Sequence, residues 1–97
     1  MESADAVFAA LASPVRRRVL DTLRTRGPQP VNAIAEGFDM RRPSLSEHLK
    51  VLRDAGLVHE TRHGRERRYE LTRDSLRDIT AWLSPYEQYW RGRLTAQ

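Results

Sequence analysis

The residues best placed to do chemistry lie between Arg41 and Val58, in the stretch RRPSLSEHLKVLRDAGLV. Their chemistry is hydrogen bonding and charge rather than bond making. Arg42, Ser44, Ser46 and Glu47 offer the donors and acceptors that read base edges. Arg41 and Lys50 add cations that suit phosphate, which fixes register without reading sequence. A second basic set, Arg62, Arg65 and Arg67, surrounds Gly64 and suits the same polyanion. The arginines between Arg16 and Arg26 are expected to join them on phosphate.

Catalytic sets are absent. There is no cysteine, hence no thiolate nucleophile, thiolate metal site or disulfide. Neither a glycine-rich phosphate loop nor a usefully spaced carboxylate–histidine set occurs. The reading is therefore no enzyme and no cofactor. Of the three histidines, His48 borders an apolar stripe and reads as a packed residue. His59 and His63, with Glu60, are a weak candidate for a metal at an isolated or intersubunit site, and the expectation is that none binds.

Something must present those polar groups. Leu45, His48, Leu49 and Leu52 fall at i, i+3, i+4 and i+7, one mostly apolar stripe on a helix. Pro43 suits the first turn and Gly56 the C-terminal cap. The opposite side carries Pro43, Glu47, Lys50 and Asp54, flanked by Ser44 and Ser46. Such a helix fits a DNA major groove, about 12 Å wide, with its N-terminal residues on base edges. A solvated surface helix fits the stripe equally well, so the flanking segments carry the weight. Arg41 stands at the N-cap, where it has no side-chain oxygen to offer; either Asp39 substitutes for it or the first turn is loose until DNA supplies phosphates.

Upstream, Ala4 to Ala12 reads as a short helix with Ser3 as N-cap. Ser13-Pro14 opens a second helix, closed by Gly27-Pro28 and buried through Val15, Val19, Leu20 and Leu23. Val31, Ile34, Ala35 and Phe38 predict a third, short helix before the central one, which is the helix-turn-helix order. Downstream, Leu57 to Arg62 and Arg67 to Thr72 alternate like strands around Gly64, a hairpin with a basic tip. Thr72 as N-cap and Asp74 in the first turn start a last helix, with a kink or break at Pro85. Leu76, Ile79, Leu83, Tyr86 and Trp90 recur at spacings of 3, 4, 3 and 4, widened by Trp82 and Tyr89. Too few other elements exist to cover that stripe, so a second copy is its expected partner.

The net charge of +4 is unevenly spread: Arg16 to Arg26 and Arg41 to Arg68 each carry +4. Basic segments of this kind suit a polyanion. No stretch approaches the roughly 18 apolar residues of a membrane span, and the acidic start is unlike a signal peptide, so a cytoplasmic location is expected.

FAALASPVRRRVLDTL, SLSEHLKVLRDAGLV and HGRERRYEL resemble the ArsR-type winged helix-turn-helix regulators of bacteria, and the likeness runs from about Val7 to Leu94. The resemblance implies a homodimer that binds palindromic operator DNA, usually as a repressor. Its first and last helices would form the interface, here Val7, Phe8, Leu11, Leu76, Ile79, Leu83, Tyr86 and Trp90. Its recognition helix maps onto Arg42 to Ala55. Metal-sensing members use cysteines in the helix matching Val31–Phe38, where this chain has Val31, Asn32 and Ala33. Others use aspartate and histidines on the last helix; Asp74 could match, but Leu76 stands where a histidine is needed. The ending WLSPYEQYWRGRL resembles a branch without the usual metal sites.

The expected fold is mainly α with a two-stranded β-hairpin wing, one domain over 1–97. Its dimerisation helices fall at about 4–12 and 73–95, its helix-turn-helix at about 31–55 and its wing at about 57–72. The expected function is sequence-specific regulation of transcription by a homodimer on an inverted-repeat operator. The alternatives are a non-specific architectural DNA binder, a metal-responsive regulator using His59 and His63, and a protein-interaction module of the same shape. A protein co-regulator or small-molecule inducer is compatible with the leading reading, and no residue names either.

Overall fold

The computed structural model describes residues 2–95, with side chains from 4 to 93. Eight elements follow in chain order: α1 (Glu2–Leu11), α2 (Pro14–Arg26), β1 (Gln29–Pro30), α3 (Val31–Ala35), α4 (Arg42–Asp54), β2 (Val58–His63), β3 (Glu66–Leu71) and α5 (Arg77–Thr95). The helix-turn-helix is α3, the 36–41 turn and α4. The wing is β2 and β3.

Local chemistry explains most boundaries. Ser13 caps α2, its Oγ accepting from the Arg16 N–H at 3.3 Å, and Pro14 takes the first helical position. The far end of α4 closes in a Schellman motif. The Gly56 N–H donates to the Arg53 carbonyl and the Leu57 N–H to the Leu52 carbonyl, both at 2.9 Å. Gly56 has φ +79, which an L side chain rarely tolerates. That turn delivers Leu57 and Val58 straight into the core and starts the wing.

One cluster holds the chain together. Val7 and Ala10 of α1, Val19 and Leu23 of α2, Ile34 of α3, and Leu45, Leu49 and Leu52 of α4 are buried with Leu57 and Val58. Three of the four stripe residues of α4 are thus core, so its orientation is fixed by packing against α1, α2 and the first wing strand.

Several expectations need correction. The hairpin gains a third strand. β1 pairs antiparallel with β3, Gln29 opposite Tyr69 and Pro30 opposite Arg68, giving the order β1-β3-β2. α3 stops at Ala35, and Phe38 packs against the core from the turn. α1 starts before Ser3, which therefore lies inside the helix rather than at its cap; its side chain is outside the described residues. Thr72 does not cap α5. The chain passes through a turn in which Asp74 adopts φ +60, and the helix begins at Arg77. Pro85 lies inside one helix, so there is no break. Val7 is only 3% exposed and belongs to this chain's own core, so it is not available to a partner. Ile79 is half-buried against the same core.

α5 packs on α1, and the remainder of its apolar surface stays open. Phe8 meets Trp82 edge to face with centroids 5.6 Å apart, Trp82 meets Tyr86 at 4.9 Å and Tyr86 meets Trp90 at 6.3 Å. Trp82, Tyr86 and Trp90 are 53%, 47% and 54% exposed, and Leu76 and Tyr89 are exposed beside them. A ladder of rings in edge-to-face and tilted contact, open to water, has the character of an interaction surface.

Candidate nucleic-acid interface

The polar side of α4 is open. Arg41, Arg42, Ser44, Ser46, Glu47 and Lys50 are all exposed, while Leu45 and Leu49 beneath them are 1% exposed. No side chain caps the helix at Arg41. The Arg41 carbonyl receives the first bonds, from the N–H groups of Ser44 and Leu45 at 3.1 and 3.2 Å. Pro43 has no N–H to satisfy. The Arg42 side chain is not loose: its Nη2 donates to Asn32 Oδ1 on α3 at 2.8 Å. Nothing in the sequence pattern marked Asn32, because the two residues meet only through the turn between the helices.

The wing is a tight hairpin. His63 pairs with Glu66, leaving Gly64 and Arg65 as a two-residue turn. Gly64 has φ +66 and Arg65 does not share the positive φ, the pattern of a type II′ turn. Both strands keep the expected six residues but lie one residue nearer the turn, Val58–His63 and Glu66–Leu71 in place of 57–62 and 67–72. Arg62 stands directly opposite Arg67. Like charges in that position destabilise a hairpin until an anion lies between them. Glu60 only partly relieves Arg67, at 3.9 Å. Among the described residues, Arg62 and Arg65 have no bonding partner, and both are exposed.

Glu60 connects wing to helix. Arg53, near the end of α4, donates to its Oε1 at 2.8 Å, and the Tyr69 hydroxyl approaches the same oxygen at 3.5 Å. Burial, then the charge of Glu60, pushes the Tyr69 phenol above its ordinary range, so it stays neutral. Arg68 pairs with Glu66 at 2.7 Å, which leaves the tip arginines as the open cations of the hairpin.

The arginines of α2 have other work. Arg16 donates through Nε to the Ala10 carbonyl at 2.7 Å and through Nη2 to Ala9 at 3.1 Å, satisfying the end of α1. Its Nη1 meets His48 Nδ1 at 3.1 Å. Arginine has no acceptor to offer, so Nδ1 accepts and the ring proton sits on Nε2. Arg17 donates to the Leu11 carbonyl at 2.7 Å. Arg18 bonds the Gly37 carbonyl at 2.7 Å and lies 4.4 Å over the Phe38 ring. Arg24 pairs with Asp21. These bonds hold α1 and the helix-turn-helix turn in place.

Within one chain His59 and His63 do not converge. His59 and His63 are four residues apart on one strand, roughly 13 Å, too far to share an ion within one chain. His59 is engaged through Nε2 with Glu70 at 3.2 Å and through Nδ1 with Thr72 Oγ1 at 3.0 Å. Among the described residues, no group of three or more metal-ligating side chains converges.

A sequence profile described as a helix-turn-helix domain matches residues 11–61. The transcriptional repressor SdpR of Bacillus subtilis (strain 168) is 36% identical over 77 residues, 79% of this chain and 84% of its own. A crystal structure of an ArsR family transcriptional regulator superposes with a TM-score of 0.81 at 36% identity, covering 93% of this chain and 92% of that one. The chain belongs to the ArsR-type winged helix-turn-helix family of transcriptional regulators. It is therefore a DNA-binding regulator and not an enzyme. A solution structure from Mycobacterium bovis, described as a homodimeric winged helix-turn-helix DNA-binding domain (fragment 1–100), is similar at a TM-score of 0.67. It is 26% identical and covers 99% of this chain and 85% of that one. Among the described residues, no helix is long and apolar enough to cross a membrane.

Proposed function

We propose that this ArsR-type regulator is a cytoplasmic repressor that binds an inverted-repeat operator as a homodimer. The observation that carries the reading is α4 itself: its apolar stripe is fixed in the core while its N-terminal polar side, Arg41 to Lys50, stands open. Arg42, Ser44, Ser46 and Glu47 read bases. Arg41, Lys50, Arg62, Arg65 and Arg67 hold phosphates. Two chains associate through α1 and α5, using Phe8, Leu11, Leu76, Leu83, Tyr86 and Trp90 together with Trp82 and Tyr89. The homodimeric description of the M. bovis relative supports that assembly, and the SdpR relative supports repression. Two recognition helices related by a two-fold axis would lie roughly 34–36 Å apart, one turn of DNA.

Two substitutions test the assignments separately. Arg42→Ala should weaken binding to a duplex selected from a random library by about 1–3 kcal/mol, as for a bidentate guanine contact, with much less loss on random DNA. Fluorescence anisotropy on both duplexes measures it, and an equal loss on each reduces Arg42 to a backbone contact. Arg62→Ala and Arg65→Ala should instead weaken binding to every duplex. Each should flatten the slope of log K against log salt by roughly 1. An unchanged slope in both variants would remove the wing from the interface.

A further inference from the structure

Asn32 is the second residue of α3. Val31, Ile34 and Ala35 pack inward, and the Asn32 amide is left in solvent. Polar side chains in that position normally bond water. This one accepts from Arg42 Nη2 at 2.8 Å and so joins the N-terminal ends of the two helices of the helix-turn-helix. We propose that Asn32 is a specificity-determining residue that acts by positioning the Arg42 guanidinium for base reading. The inference rests on the base-reading role given to Arg42 above.

The chemistry of the pair favours this role. A guanidinium carries five N–H donors in a fixed planar fork. The bond to Asn32 uses one hydrogen of Nη2. A parallel pair of N–H groups remains for the O6 and N7 acceptors of a guanine. Arg42 is otherwise a long side chain at the exposed start of a helix, and ordering it on DNA would cost rotamer freedom. Asn32 restrains it beforehand, which is pre-organisation of a recognition group. Being neutral, the amide does so without cancelling the arginine charge that draws the protein to DNA. A carboxylate in its place would orient and neutralise together.

The test is a double-mutant cycle on the full chain, scored as the ratio of affinities for the selected duplex and the same duplex with one base pair changed under Arg42. Asn32→Ala should reduce that ratio roughly three- to tenfold, the size of coupling expected between side chains in direct contact. It should leave the thermal midpoint and the salt slope unmoved, since Asn32 is exposed and uncharged. In the Arg42→Ala background, the same change should have no further effect. Asn32→Asp should keep the ratio while lowering affinity for both duplexes. Three results would overturn the proposal: an unchanged ratio in Asn32→Ala, an equal fall with Arg42 already removed, or a rise in affinity showing that Asn32 holds Arg42 off the DNA. If Arg42→Ala itself leaves the ratio intact, base reading by Arg42 is what fails, and the role of Asn32 falls with it.

Discussion

Changing Tyr86 to glutamate is expected to leave a folded chain that no longer dimerises or binds an operator. Tyr86 sits in the middle of the ring ladder, between Trp82 and Trp90, and is 47% exposed within one chain. It is outside the buried cluster, so a carboxylate there remains solvated in the monomer. In a two-fold interface the same change places one unpaired charge from each subunit out of water. A buried uncompensated charge costs about 3–5 kcal/mol, so the dimer dissociation constant should rise by well over 100-fold. Sedimentation should show monomers with an unchanged circular dichroism spectrum. A variant that remains dimeric at micromolar concentration would move the interface off α5. Ile79 would be a poorer probe, because it packs partly on its own core and its loss would mix unfolding with dissociation.

The second large effect is on stability. Leu49→Ala should destabilise the fold by about 2–5 kcal/mol, the usual range for truncating a fully buried leucine. Leu49 is 1% exposed, in the middle of the α4 stripe. Its neighbours in the core are leucine, isoleucine, valine and alanine side chains, each already buried, so the space is filled only by shifting the helices themselves. In a domain of this size each kcal/mol shifts the thermal midpoint by about 4–8 °C, and a fall of roughly 10–30 °C is expected by calorimetry. A shift of only a few degrees would mean that α4 is not anchored through this stripe. The variant's DNA affinity at low temperature should fall far less than that of Arg42→Ala.

Local signals account for what could be read before the fold was known. Ser13-Pro14, Gly56 and Gly64 each mark a place where backbone chemistry allows few choices, and the boundaries of α2, α4 and the hairpin follow them. The 3.6-residue stripes of α2 and α4 placed Val19, Leu23, Leu45, Leu49 and Leu52 in the core. What escaped depends on contacts distant in the chain. β1 is two residues containing a proline, and only β3 makes it a strand. Asp74 at φ +60 breaks a helix start that Thr72 and Asp74 otherwise signal, and Thr72 spends its hydroxyl on His59. The stripe of α5 does not separate residues facing the same chain from those facing outward, so Ile79 and Trp82 could not be told apart. Nor does a run of three arginines disclose that its targets are the carbonyls of Ala9, Ala10, Leu11 and Gly37. The candidate DNA-facing set was legible as residue types on one side of a helix and around one turn. The partner that holds Arg42 was not, because the sequence separation of Asn32 and Arg42 gives no helical or strand period.

In the proposed function, two copies of α4 read two halves of one symmetric site. Selection of bound duplexes from a random library, followed by hydroxyl-radical footprinting of the winner, tests it most directly. The expected result is an inverted repeat with half-site centres about 10–10.5 base pairs apart, two chains per duplex, and protection on one face of the DNA. Enrichment of no sequence, or of a single asymmetric site held by one chain, would contradict it.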